Sequence, residues 1–156
     1  MPASLRPSIV IPLCVLVTSS LAAAAAPSAE DDLKALQGTW ERTQLIPGPQ
    51  GPQEGRVVKE VKGNRETVRS YDKDGKETYA HAVEFRLERQ GEVRVYTFFN
   101  REVIAGPSKG QKVPEPSSYI YRLRDDTFEE VWGFLPGQEK RELLAAKWRR
   151  VKEPGN

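Results

Sequence analysis

Apolar and polar residues alternate along most of this chain, in short segments separated by turn-forming residues. The clearest case is the segment 76–89, in which every second residue from Tyr79 to Leu87 is aromatic, aliphatic or histidine. An alternation with period two predicts a β-strand with one buried face. By this pattern and the intervening Gly, Pro, Asn and Asp residues, we predict strands over 39–46, 56–62, 65–71, 76–89, 92–100, 118–124, 127–134 and 141–152. Residues 101–105 either continue the fifth strand or start another.

A short helix is predicted just before the first strand. Ser28 is a suitable N-cap, and the three acidic residues at 30–32 favour the positive end of the helix dipole. Leu33 and Leu36 are three residues apart and therefore share one face. Gly38 suits the left-handed backbone that often ends a helix. Because such a short helix is not stable alone, we expect it to dock on the strands through its leucines.

The predicted strands follow one another through short turns, without a long crossover connection. Strand starts recur every ~10–18 residues, which is the spacing of an all-β sandwich or barrel. A meander of eight strands can close on itself and leave no unpaired edge. We therefore predict an all-β fold: an eight-stranded up-and-down antiparallel barrel with a short N-terminal helix.

The N-terminal region differs from the rest of the chain. Arg6 precedes an apolar run over 9–21, and alanines follow at 22–26. This order predicts a signal peptide over 1–26 and a mature domain over 27–156, so we expect a secreted or periplasmic protein. The apolar run is shorter than the ~20 residues of a membrane-spanning helix, and we expect no membrane span in the mature chain.

Cysteine content and charge narrow the choice of partners. The single cysteine, Cys14, lies inside the predicted signal peptide, so the mature domain has no disulfide. Leu13 before it does not fit a lipoprotein signal. The chain has 24 basic and 22 acidic residues, and they are spread along its length. Nucleic-acid-binding proteins concentrate Lys and Arg in patches, so we expect no nucleic-acid partner.

The junction of helix and first strand carries the pattern Asp-Leu-x-x-Leu-x-Gly-x-Trp, from Asp32 to Trp40. A basic final strand, Lys-Trp-Arg-Arg-Val-Lys, occupies 147–152. With the predicted meander, these features resemble a family of uncharacterised secreted bacterial lipocalin-like domains of the calycin group. The resemblance covers the whole mature chain, and its opening motif is more specific than its closing one.

The resemblance implies structural roles for Gly38, Trp40 and a basic residue of the last strand. Trp40 is expected at the closed end of the barrel, with a guanidinium across its ring. Such a cation–π contact is worth ~0.5–2 kcal/mol. Arg150 is the first choice for this contact and Arg149 the alternative. The resemblance carries over no catalytic residue.

Aromatic side chains are the candidate ligand contacts. Rings and a few polar tips on interior faces are the usual composition of a small-molecule pocket. An eight-stranded barrel has room for side chains or for one small ligand, so a packed core and a pocket both remain open. The candidate ligand-binding residues are Tyr79, His81, Phe85, Tyr119, Tyr121 and Trp132.

Few residues are candidates for catalysis or metal binding. His81, the single histidine, is either a ligand contact or proton carrier, or a hydrogen-bonded interior side chain. One histidine without cysteines does not make a zinc site. Asp72 and Asp74 are better explained by a hairpin turn than by a calcium loop. Glu129 and Glu130 point to opposite faces of a strand and so cannot form a catalytic pair.

We expect both acidic pairs, Glu129–Glu130 and Asp125–Asp126, to be solvated. The sequence thus favours a non-enzymatic protein without cofactor or metal. It would bind a small apolar or amphipathic ligand at the barrel mouth, with the loops 47–55 and 106–116 as the rim. The alternative is a filled barrel that presents its loops to a protein partner, such as an envelope protein.

Overall fold

The computed structural model describes residues 28–46 and 51–152; the predicted signal peptide at 1–26 lies outside these residues. One helix and nine strands follow in order. They are α1 (Ala29–Leu36), β1 (Gly38–Ile46), β2 (Gln53–Lys62), β3 (Arg65–Tyr71), β4 (Glu77–Gln90), β5 (Val93–Ala105), β6 (Lys112–Val113), β7 (Ser117–Arg124), β8 (Thr127–Trp132) and β9 (Leu144–Arg150).

The strands form one closed antiparallel sheet. Its order is β4-β3-β2-β1-β9-β8-β7-β5, and an additional pairing between β4 and β5 closes the barrel. The two-residue β6 pairs only with the end of β5, so the barrel wall has eight strands. The predicted all-β, eight-stranded up-and-down barrel with a short N-terminal helix is confirmed. No helix within 28–46 and 51–152 is long and apolar enough to cross a membrane.

Some strand boundaries differ from the sequence prediction. The fifth strand continues to Ala105, which settles the alternative left open for 101–105. The eighth ends at Trp132, two residues early, and the ninth begins at Leu144 instead of residue 141. Gly133 is the physical reason for the early end, because its φ of +92° turns the chain out of the sheet.

A bulge in β5 changes which residues face the interior. Asn100 has a φ of +53°, and the β4–β5 register shifts between Ala82 and Glu84 on the partner strand. An extra residue in one strand exchanges its inner and outer faces. Before the bulge the even-numbered Phe98 packs in the core; after it Arg101 lines the interior. Strict alternation along the sequence cannot reveal this exchange.

Helix α1 closes one end of the barrel. Ser28 and Asp31 form a capping box at its start. Leu36 is fully buried, and its carbonyl oxygen accepts a hydrogen bond from Trp40 Nε1 at 2.8 Å. One turn earlier on the same face of the helix, the buried Asp32 accepts a hydrogen bond of 2.7 Å from the hydroxyl of Tyr121. These contacts attach a helix of eight residues that could not persist alone.

Arg150, and not Arg149, lies across the indole of Trp40, with its guanidinium carbon 4.1 Å from the ring centroid. It also donates hydrogen bonds to the carbonyl oxygens of Gln37, at 2.7 Å, and Ala35. A cation at the C-terminus of a helix satisfies carbonyls that have no partner within the helix. Gly38 has a φ of +110°, and a Cβ there would lie 3.2 Å from the Arg150 guanidinium.

Aromatic rings fill the half of the barrel next to α1. Tyr96 stacks between Phe85 and Tyr119, with centroid distances of 4.6 and 4.7 Å. Phe128 packs against Trp40 at 5.9 Å. All five rings are almost fully buried. This half is a packed core, so any room for a ligand lies toward the other end.

Candidate functional site

A pocket of about 430 Å³ occupies the interior half farther from α1. Strand β1 starts beside the helix and runs away from it, and neighbouring strands are antiparallel. The end of the barrel opposite α1, its open end, is therefore where β4 begins and where β5 and β8 end. Seven strands contribute to the wall. The lining residues are Arg42, Gln44, Lys59, Glu66, Val68, His81, Val83, Phe98, Arg101, Glu130, Trp132, Leu144, Ala145, Ala146 and Trp148.

A buried ionic cluster forms the floor of this pocket. Lys59 Nζ lies 3.1 Å from Glu66 and forms a second ion pair with Glu130. Each carboxylate also accepts a hydrogen bond from a tyrosine: Tyr96 donates to Glu66 at 2.6 Å, and Tyr119 donates to Glu130 at 3.1 Å. The expectation that Glu130 is solvated is therefore wrong. It faces inward with Phe128, and Lys59 offsets the cost of its burial.

The electrostatics of the floor favour a charged lysine. Burial acts to lower the pKa of Lys59, but the charges of Glu130 and Glu66 outweigh it and raise that pKa. The ammonium also lies 4.5 Å from the ring centroid of Trp148 and 4.8 Å from that of Phe128. Burial raises the pKa of Tyr119 well above its usual range, and Glu130 adds to the effect. The hydroxyl therefore stays protonated and donates a hydrogen bond to Glu130.

Two arginines lie above this floor. The guanidinium carbon of Arg42 is 4.6 Å from the centroid of Trp148, a cation–π contact on the wall. Burial lowers the pKa of Arg42 from its usual value. Arg101 enters the wall through the β5 bulge. Neither arginine forms an ion pair with an acidic side chain of the residues that the structure describes.

His81 lies on the same wall. Its burial, followed by the positive charge of Arg101, lowers the pKa of its imidazole to about 4. The ring is therefore neutral near pH 7. The ring of Tyr79 lies 5.5 Å away, centroid to centroid.

Four buried nitrogen atoms of the lining have no hydrogen-bond partner among the described residues. They are Nε of Arg42, Nε of Arg101, Nε1 of Trp148 and Nδ1 of His81. Most buried polar atoms in proteins have a partner, and one without a partner costs about 1–3 kcal/mol. All four atoms are themselves shielded from solvent, so they lie behind the surface of the cavity and do not open onto it.

The six predicted ligand contacts occupy three different places. His81 and Trp132 line the pocket. Phe85, Tyr119 and Tyr121 belong to the packed core beneath it. Tyr79 lies behind His81 and contacts its ring.

The charged lining residues were missed as candidates, although part of their signal is in the sequence. Arg42 alternates with Trp40 on β1, and Lys59 stands between Val57 and Val61 on the buried face of β2. A charge on an otherwise apolar face indicates a buried polar site. No local pattern indicates Arg101, because its inward position depends on the bulge.

No group of three or more His, Cys, Asp or Glu side chains arranged to hold a metal ion occurs within 28–46 and 51–152. Comparisons with protein-family models, with curated proteins and with solved structures gave no match for this chain. What stands is the architecture: a closed eight-stranded antiparallel barrel, consistent with a lipocalin-like fold and compatible with ligand binding.

Proposed function

We propose that this protein binds a small amphipathic molecule in the pocket at the open end of its barrel. The observation that carries the proposal is the cavity of about 430 Å³ above the Lys59 cluster. Small-molecule sites are typically concave, about 300–1,000 Å³ in volume, and apolar with a few polar groups. The pocket has this size and this mixture.

The wall supplies both kinds of contact. Phe98 and Trp132 pack together with centroids 5.7 Å apart, and Val68 and Val83 extend the apolar surface. The polar groups lie at the floor, at Lys59 and its two carboxylates, and on the wall, at Arg42 and Gln44. An apolar ligand part would replace water on the rings while a polar part met the charged groups, so an amphipathic molecule fits better than a purely apolar one.

The alternative, a filled barrel that acts through its loops, requires an interior without a cavity. The pocket favours ligand binding over this alternative. We further propose a non-catalytic role for an exported domain of the lipocalin-like type. The support is the signal-peptide pattern at 1–26, the motif from Asp32 to Trp40 and the barrel itself.

A ligand screen, followed by a substitution that fills the pocket with a side chain, tests the proposal. The purified protein is first screened against a lipid and metabolite extract by native mass spectrometry, and retained compounds are titrated while tryptophan emission is followed. Trp132 and Trp148 line the pocket, so a bound ligand should change their emission. Ala146→Phe, which places a ring in the cavity, should weaken binding at least about tenfold, equivalent to about 1.4 kcal/mol.

The matched control is Thr43→Phe, which adds the same ring at an exposed position of β1 and should bind as the wild type does. Circular dichroism establishes that both variants fold. If no compound is retained, or if folded Ala146→Phe binds with unchanged affinity, the pocket is not the binding site and the proposal fails.

A further inference from the structure

We propose that the polar end of the ligand is a carboxylate, held between Arg42 and Arg101. This inference rests on the proposed function, since it assigns a chemical class to the molecule that fills the same pocket. It comes from three properties of the wall: the donor groups of its two arginines, its charge balance and the distribution of its apolar surface.

The two guanidinium groups of the wall call for an acceptor. Arg42 and Arg101 line the cavity, and neither has an acidic partner among the described residues. A guanidinium can only donate hydrogen bonds. A carboxylate has two oxygens that accept about four hydrogen bonds, which suits two such donor groups, whereas an alcohol or amine offers fewer acceptor sites.

The charge balance calls for a negative group. Among the described lining residues, the cations are Arg42, Lys59 and Arg101, and the anions are Glu66 and Glu130. The neutral His81 adds no charge near pH 7. Because Lys59 is paired with both carboxylates, the excess positive charge lies with the two arginines. A buried guanidinium is stabilised by a carboxylate more than by a neutral group.

The apolar surface sets the orientation. The arginines extend from the wall above the ionic floor, and the apolar residues at the mouth include Trp132 and Leu144, the latter 59% exposed. The β1–β9 ladder has only two registered pairs, both at the closed end, so the wall beside Leu144 and Ala146 is open. A ligand with its carboxylate inward would lay its hydrocarbon tail along this opening and cover the exposed leucine.

Three probes with one tail and different heads test the inference. Decanoate is an anion, 1-decanol is neutral and decylamine is a cation near pH 7. Each is titrated into the full mature chain by isothermal calorimetry below its aggregation concentration. We expect decanoate to bind at least about tenfold more tightly than decanol, because one charge-assisted hydrogen bond contributes that much. Decylamine should bind most weakly.

Arginine variants locate the head group. Arg42→Met and Arg101→Met keep the stem length and remove the charge, so each should weaken decanoate binding at least about tenfold and leave decanol binding within about twofold. Arg86→Met is the matched control, because Arg86 is exposed and outside the pocket. If a methionine variant fails to fold, the corresponding lysine variant replaces it; it keeps the charge and loses the paired donors.

The outcomes separate the two proposals. Equal binding of decanoate and decanol, a preference for decylamine, or unchanged decanoate binding in both arginine variants overturns the carboxylate while leaving ligand binding in place. If none of the three probes binds, the pocket takes no amphipathic chain, and the carboxylate inference falls together with the proposed function.

Discussion

Lys59 is the residue on which the two buried carboxylates of the pocket floor depend. It pairs with Glu66 and Glu130, and all three side chains are less than a tenth exposed. Two tyrosine hydroxyls complete the hydrogen bonding of the carboxylates. Buried ions persist only when partners and hydrogen bonds offset the loss of water, so removing the shared cation should cost more than removing an exposed one.

Replacing Lys59 with methionine tests this dependence. The variant leaves two carboxylates buried without a cation, and we expect the free energy of unfolding to fall by about 3–5 kcal/mol. The measurement is urea denaturation at pH 7. Lys62→Met is the matched control; its side chain is 81% exposed, and its loss should change stability by less than about 0.5 kcal/mol. Equal effects of the two substitutions would contradict the role of Lys59.

His81 should make the protein sensitive to acid. Its pKa is about 4 in the folded protein and about 6.5 when unfolded, so the unfolded chain binds more protons between these values. Stability from this residue is complete above pH 6.5 and is lost as the pH falls toward 4, by about 2–3 kcal/mol at pH 4. Burial and the neighbouring Arg101 and Lys59 cause the depression, and Glu130 opposes it.

Comparison of the wild type with His81→Gln isolates this contribution. Urea denaturation of both proteins is measured at pH 7 and pH 4. Carboxylates titrate in the same range in both, so the expected result is a smaller loss of stability on acidification in the variant. An identical loss in both proteins would show that the histidine is not held neutral.

At the scale of elements, α1 and the two strand ends beside it act as one unit. Arg150 at the end of β9 contacts the Trp40 ring at the start of β1 and two carbonyl oxygens at the end of the helix. Gln37 joins the helix to the β2–β3 turn through hydrogen bonds of 2.7 and 3.1 Å with the backbone of Gly63. The helix therefore depends on elements far from it in sequence.

Arg150→Met should weaken this closed end. The variant loses a cation–π contact and two charge-assisted hydrogen bonds, so we expect a loss of about 2–4 kcal/mol of unfolding free energy in denaturant titrations. Arg149→Met, one residue earlier on the exposed face, should have almost no effect. A similar loss in the two variants would mean that charge in this strand matters and the ring contact does not.

At the scale of the molecule, the barrel has a packed end and an open end. Aromatic packing and α1 fill the closed end, whereas the pocket occupies the other. The seam between β1 and β9 follows this division, because its two registered pairs are Trp40 with Arg150 and Glu41 with Arg149. By contrast, β4 and β5 pair along most of their length.

Hydrogen exchange should reveal the same asymmetry. Backbone amides of 43–45 and 144–147, beyond the paired part of the seam, should exchange on average at least about tenfold faster than those of 85–88 and 95–98. The reason is that local opening costs least where a ladder is incomplete. Exchange followed by mass spectrometry of peptides measures both regions in one experiment; equal protection would contradict an open seam.

Much of the fold could be predicted because its signals are local. Alternation at 76–89 follows directly from the two faces of a strand, and the turn residues follow from their backbone preferences. The site could be predicted only in part. His81 and Trp132 are singled out by residue type, whereas Arg101 faces the pocket through a bulge that leaves no alternation to detect.

The amino-acid sequence by itself determined the all-β class, the number of strands in the wall and the helix that precedes them, because periodicity and turn chemistry act over a few residues. Only the tertiary structure decided that Lys59 meets Glu130, 71 residues away, and that Arg42 and Arg101 line one cavity. Those encounters depend on the register between strands and on barrel closure. Both are properties of the assembled sheet, which no single segment of the chain contains.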